Sequence, residues 1–162
     1  MGRPVIAVKA AVLSTLFLSL WAVVALSLRR FDALFGIALP EAGHLPGLVA
    51  MVLGALLGAS CVVTFVKDGH GTPAPIDPPR EFVATGPFRY CRNPMYLGGG
   101  FLLVGLAFWE RSVSILGFAV LALSVVHLLV VHREEPGLRK RFGSTYADYC
   151  RAVPRWIPRI QR

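Results

Sequence analysis

The stretch RYCRNPMYLGGGF, Arg89 to Phe101, sets two arginines, an Asn-Pro pair, a tyrosine and three consecutive glycines ahead of an apolar run. Arginine carries a planar fork of donors suited to carboxylate or phosphate. Asn93 is a good helix N-cap and Pro94 is favoured at the first helical position. A helix starting there presents free N–H groups and the positive end of its dipole, and Arg89 and Arg92 just ahead strengthen this anion site. Gly98, Gly99 and Gly100 lie one turn in. Each weakens a helix by nearly ~1 kcal/mol relative to alanine. In exchange they let a second helix or a ligand touch the backbone.

A second group lies in SVVHLLVVHREEPG. His127 stands inside an apolar run, where an ionisable residue is a functional candidate. Ser124, His127, Val131 and Glu134 share one helix face by spacing. That polar stripe leads to Glu134 and Glu135, just before Pro136. Read as a helix C-terminus, this is a poor place for carboxylates, since they oppose the dipole. A ligand role accounts for them better than stability does.

These residues need elements to hold them, and the composition says which. The chain is 55% hydrophobic and 16% charged, against about 25% charged in a soluble domain. Ala10 to Leu28 and Leu45 to Val66 contain no charge. Each run is long enough to cross a hydrocarbon core of about 30 Å. Pro94 to His132 holds only Glu110 and Arg111 as charges and reads as a helical hairpin. The expected fold is an all-α membrane protein of about four transmembrane helices, a single domain over 1–162. The spans are 10–28, 45–66, 94–109 and 112–133, with a loop at 67–93 and a helical cover at 134–162. The span at 94–109 is short and needs thinned lipid or shielding by its neighbours. Arg29-Arg30 follow the first run in place of a small-residue cleavage site, so it reads as a retained helix.

The net charge is +8, and four spans put every Lys and Arg on one side except Arg29, Arg30 and Arg111. The positive-inside rule places that side, with both termini, in the cytoplasm. Anionic lipid headgroups account for the basic excess without nucleic acid. Three cysteines make no disulfide framework, and no metal-ligand spacing appears. In GALLG, Gly54 and Gly58 form a small-xxx-small pattern for close helix approach. Prolines from Pro73 to Pro87 exclude regular helix from the first half of the loop. EFVATGPFRY reads as a small extended or hairpin turn at Gly86-Pro87. In the tail, Gly143 ends one helix and Ser144 caps the next, giving a basic, aromatic interfacial cover.

The hairpin brings a cationic helix start, a glycine patch and an acidic pair to one end. A ligand with a carboxylate at one end and an ammonium or ribose hydroxyls at the other is complemented there, and S-adenosylmethionine has all three. From about Leu45 to Arg159 the chain resembles integral-membrane S-adenosylmethionine-dependent methyltransferases, the isoprenylcysteine carboxyl methyltransferases and phospholipid methyltransferases. The resemblance rests on RNPMYLGGG from Arg92, REEPGLRKRFGSTYADY from Arg133 and VPRWIPR at the end, in order. It implies a cofactor pocket of Arg92, Asn93, Tyr96, Gly98, Gly99, Gly100, His127 and Glu134. Arg92 with the helix start would take the cofactor's carboxylate, and Glu134 its ammonium or ribose. Glu135 faces cofactor or substrate, and Arg89 or Arg155 orients a carboxylate acceptor. Tyr146 or Tyr149 would close the pocket. Asn93 departs from the family's usual histidine and cannot titrate near neutrality. The acceptor stays open among a lipid amine, a carboxylate and a thiol. The partners expected are membrane lipids and an amphiphilic substrate, with no nucleic acid. A scaffold or small transporter is the alternative. Against a proton-coupled transporter, every Asp and Glu lies in a loop or at a span end.

Overall fold

The computed structural model describes residues 3–69 and 81–159, and among them all regular structure is helical. The prolines at 73–79 lie outside the described residues. The chain runs through α1 (Arg3–Leu28), a short α2 (Asp32–Phe35), α3 (His44–Asp68), α4 (Pro94–Trp109), α5 (Val113–Leu129) and α6 (Glu135–Ala152). Three helical stretches, Pro4–Phe35, Glu41–Asp68 and the one running on from Val113, are long and apolar enough to cross a membrane; α4 is apolar but shorter. Leu16 and Phe17 on α1, Leu53 and Leu56 on α3, and Leu121 and Leu128 on α5 are exposed. Such side chains belong against lipid, and the chain is an integral membrane protein.

The short helix is shielded by its neighbours. A Cβ on Gly54 would stand 2.6 Å from the Gly98 carbonyl oxygen, and one on Gly105 would stand 2.6 Å from that of Gly47. Backbone therefore meets backbone along α3 and α4, the packing that small residues permit in lipid. On the α5 side, Ala107, Ile115 and Ala25 form a buried cluster joined by Leu103 and Phe118. Trp21 of α1 stacks on Phe118 at 5.4 Å. The α4–α5 turn is fixed by polar groups. Arg111 takes a left-handed φ of 54°, and Ser112 caps α5 by accepting from the Ile115 amide at 3.1 Å.

Two local readings are corrected. EFVATGPFRY keeps the expected turn at Gly86-Pro87, with Thr85 extended before it, but forms no hairpin; Gly86–Arg89 is a single 3-10 turn. Gly86 has φ +55° and lies against Thr64, where a side chain would collide, and the chain after Arg89 runs into α4 and offers no second strand to pair. Nor does the last span end at the glutamates. A π turn at Val130–Glu134 carries the helix on into α6, with Pro136 in its first turn. Pro136 lacks the N–H of one ladder bond, and the helix passes over it with that bond missing. Glu134 and Glu135 thus lie inside a continuing helix, the Glu135 amide bonded back to the Val130 carbonyl, and away from either end of its dipole. The break expected at Gly143 is present, at φ 56° and ψ −127°. Beyond α6, residues 153–159 form an irregular strap.

Candidate functional site

The strap and the segment before α4 lie side by side. The Arg92 amide donates to the Pro154 carbonyl at 2.9 Å, and the Arg159 amide to that of Tyr90 at 3.0 Å. The Asn93 side-chain amide donates to the Arg155 carbonyl at 3.0 Å, and the Cys91 thiol reaches the same oxygen and that of Trp156. Asn93 stands at the N-cap position of α4, yet its side chain caps nothing. The first turn of α4 therefore keeps donors without a side-chain cap.

This clasp encloses an ion cluster. Glu135 is 5% exposed. Arg155 grips it with two bonds, Nε to Oε1 at 2.6 Å and Nη2 to Oε2 at 3.0 Å. Arg92 approaches from α4's side, Nη1 to Oε1 at 3.2 Å, and also touches the Cys150 sulfur. Burial works against ionisation of Glu135, but the Arg155 bonds and the charges of Arg92 and Arg155 outweigh it and hold the carboxyl below its usual range. The bonds to Glu135 raise Arg155 in turn. Two cations share one carboxylate, so the cluster stays net positive. Arg92 Nε is buried without a partner, and such orphans are rare in native interiors.

Glu134 is exposed and accepts from the Tyr96 hydroxyl. Tyr96 and Gly99 share a face of α4 by spacing. A Cβ at Gly99 would meet nothing within 4 Å, whereas one at Gly98 would meet α3 and one at Gly100 would touch Leu123. Of the three glycines, only Gly99 borders open space; the other two serve helix packing. His127 accepts from the Trp156 indole at 3.0 Å, so it anchors the strap's outer side. Arg89 lies apart from the cluster, 5.2 Å above the Tyr90 ring. The structure thus brings Arg92, Asn93, Glu135 and Arg155 together, with Tyr96 and Glu134 as a second pair and His127 reached through Trp156.

Cys91, Cys150 and Trp156 are contacts that sequence reasoning missed. Only Trp156 had a signal, its place inside VPRWIPR. Tyr149 donates to the Phe88 carbonyl at 2.6 Å, and Phe82 packs among Phe142, Tyr146 and Tyr149. These rings fasten α6 over the segment before α4. Beside the clasp is a groove of about 360 Å³ walled by Leu57, Pro87, Tyr90, Leu97 and Pro158, among others.

Comparison with known proteins follows this geometry. The chain is 31% identical over 80 residues to the nickel-cobalt-cadmium resistance protein NccN of Alcaligenes xylosoxydans xylosoxydans, which is 49% of this chain and 37% of that protein. It is 28% identical over 78 residues to the cobalt-zinc-cadmium resistance protein CzcN of Cupriavidus metallidurans, covering 48% and 36%. With methanethiol S-methyltransferase 2 of Bradyrhizobium diazoefficiens it shares 39% identity over 75 residues, covering 45% and 27%. The matches span between 27% and 37% of these relatives' own length. The phospholipid methyltransferase family model matches residues 43–145, from the start of α3 past the kink in α6, and the chain belongs to that family.

Proposed function

We propose that this protein transfers a methyl group from S-adenosylmethionine to a membrane-embedded or amphiphilic acceptor at the cytoplasmic membrane face. Family membership supports methyl transfer. The observation that carries the reading is the buried Arg92 Nε, unpartnered beside the uncapped start of α4. An interior donor of that kind calls for an acceptor group. The remaining residues fit the cofactor's other parts. Arg92 and the α4 start suit its carboxylate. Glu134, held by Tyr96, suits its ammonium or ribose hydroxyls. The open side of Gly99 leaves room next to Tyr96.

When bound, S-adenosylmethionine supplies a methyl group on a sulfonium that is already reactive. The protein's part is then positioning and exclusion of water. Glu135 fixes Arg92 and Arg155 relative to each other, so the cationic groups are set before a ligand arrives. The strap roofs the cluster, with Trp156 on His127 and Asn93 on the Arg155 carbonyl. Glu135 is not a base here, because both its oxygens are already held by arginine.

The test is calorimetric titration of S-adenosylhomocysteine into the detergent-purified protein. One-site binding is expected, weakened at least tenfold in Glu134→Gln without loss of the monodisperse folded state. No binding, in detergent and in nanodiscs alike, sinks the reading and favours a scaffold.

A further inference from the structure

Arg92 meets two groups of α6 through one nitrogen. Its Nη1 donates to the Cys150 sulfur at 2.6 Å and lies 3.2 Å from Glu135 Oε1. Nη1 carries two hydrogens, so both are directed into α6. The other edge of a guanidinium is the side-on fork of Nε–H and Nη2–H, which matches the two oxygens of a carboxylate. On Arg92 that edge holds the buried Nε without a partner. The second arginine of the cluster shows what such an edge takes: Arg155 places Nε on Glu135 Oε1 and Nη2 on Oε2.

Cys150 is itself held. Cys150 and Tyr146 are four residues apart on α6 and share a face, and the Tyr146 hydroxyl is hydrogen-bonded to the Cys150 side chain. Tyr146 is buried, with Phe82 edge-on to its ring at 5.8 Å. The sulfur therefore sits where a packed aromatic group puts it. It lies past the kink at Gly143, toward the opposite end of α6 from Glu135. Glu135 alone does not fix the fork, because one contact on Nη1 lets the guanidinium pivot there. A second contact, from the other end of α6, sets its plane. A thiol sulfur is a weak hydrogen-bond acceptor, so this contact orients Arg92 more than it binds it.

We infer that Cys150 is a positioning residue for the cofactor: by holding Nη1 it turns the Nε–Nη2 edge of Arg92 away from α6 to take the carboxylate of S-adenosylmethionine. The inference rests on the proposed cofactor and adds a residue that acts on it only through Arg92.

The experiment uses the full chain in detergent and two ligands: S-adenosylhomocysteine and its decarboxylated analogue, in which hydrogen replaces the carboxylate. Wild type is expected to bind the first about tenfold more tightly, the margin of a charge-assisted pair. Cys150→Ala should erase most of that margin by weakening S-adenosylhomocysteine and leaving the analogue's affinity unchanged. Cys150→Ser, which keeps a hydrogen-bond acceptor, should restore it. Cys150→Val fills the space without an acceptor and should behave as alanine does; it decides the matter where the alanine variant does not fold. In an Arg92→Lys background Cys150→Ala should cost no further affinity, because the fork it positions is gone. Equal weakening of both ligands, or a Cys150→Val that retains the full margin, makes Cys150 a packing residue and overturns the inference. Additive losses in the Arg92→Lys background overturn it too, as does equal binding of the two ligands by wild type. Failure of wild type to bind S-adenosylhomocysteine at all sinks the methyl-transfer reading instead, and is seen before any variant is made.

Discussion

At the α4–α5 turn, Arg111 meets Glu41 at 2.6 Å and Arg29 meets Glu110 at 2.5 Å. At the other end of α4, Arg92 and Arg155 meet Glu135 at 3.2 and 2.6 Å. The residue types match and the distances are close, but the surroundings differ. Glu41 is 78% exposed as a side chain and Glu135 only 6%. Exposed pairs trade one hydrated state for another and add little. A buried pair has given up its water, so removing one partner leaves a stranded charge. The turn end also satisfies its backbone, with Arg111 and Leu39 exchanging bonds in both directions. Each end leaves one buried side-chain atom without a partner, Ser114 Oγ at the turn and Arg92 Nε at the clasp, but only the second is a cationic donor. The charged end is the one suited to receive an anion.

The comparison breaks most easily at Glu135. Glu135→Gln should cost about 3 kcal/mol, because the largely buried Arg92 and the partly exposed Arg155 lose their shared counter-charge, and S-adenosylhomocysteine binding should disappear. Chemical denaturation in micelles with parallel calorimetry reads both. A stability loss no larger than that of Glu41→Gln would remove the distinction drawn between the two ends. pH probes the same residue. Its carboxyl is held low in the folded state, so its contribution is complete above the ordinary value of 4.5 and is lost as pH falls through the lower folded value. Wild type should lose stability as the pH is lowered past 4.5, and Glu135→Gln should lose less over the same range.

Smaller effects sharpen it. Gly98→Ala sets a methyl group against the Gly54 oxygen and should cost roughly 1–3 kcal/mol as overpacking. Gly99→Ala should be neutral or gain up to ~1 kcal/mol in helix propensity while weakening S-adenosylhomocysteine binding. If both glycines behave alike in both assays, the two faces of α4 are not distinct. Trp156→Phe removes the bond to His127 and should cost about 1 kcal/mol, with a faster cofactor off-rate as the strap loosens. Glu41→Gln comes last, within about 1 kcal/mol and with no change in binding.

Much of the helix plan was legible in the sequence because lipid imposes one requirement, an unbroken apolar helix, and leaves a plain composition signal. The start at Pro94, the close approach at Gly54 and the break at Gly143 each follow from one residue's own stereochemistry. That Arg92, Asn93 and the glutamates come to the same end of the hairpin was legible, but not how they pair. That Arg155 closes on Glu135 depends on a strap twenty positions away, which no local pattern encodes. Gly98, Gly99 and Gly100 look alike in sequence; rotation about the α4 axis turns them toward α3, open space and α5. The π turn was invisible because every residue in VVHRE also suits an α-helix.

That turn makes the chain's length, more than its identity, the sensitive quantity between 130 and 134. A substitution there leaves the residue count unchanged. A one-codon deletion would let the segment relax into an ordinary α turn, an i→i+4 bond replacing the present i→i+5 bond, and leave α6 close to its present rotation. A one-codon insertion has no such outlet: it would rotate everything after it by about 100°, so Glu135 would leave Arg92 and α6 would carry its rings away from Phe82. The segment is therefore open to losing one residue and closed to gaining one.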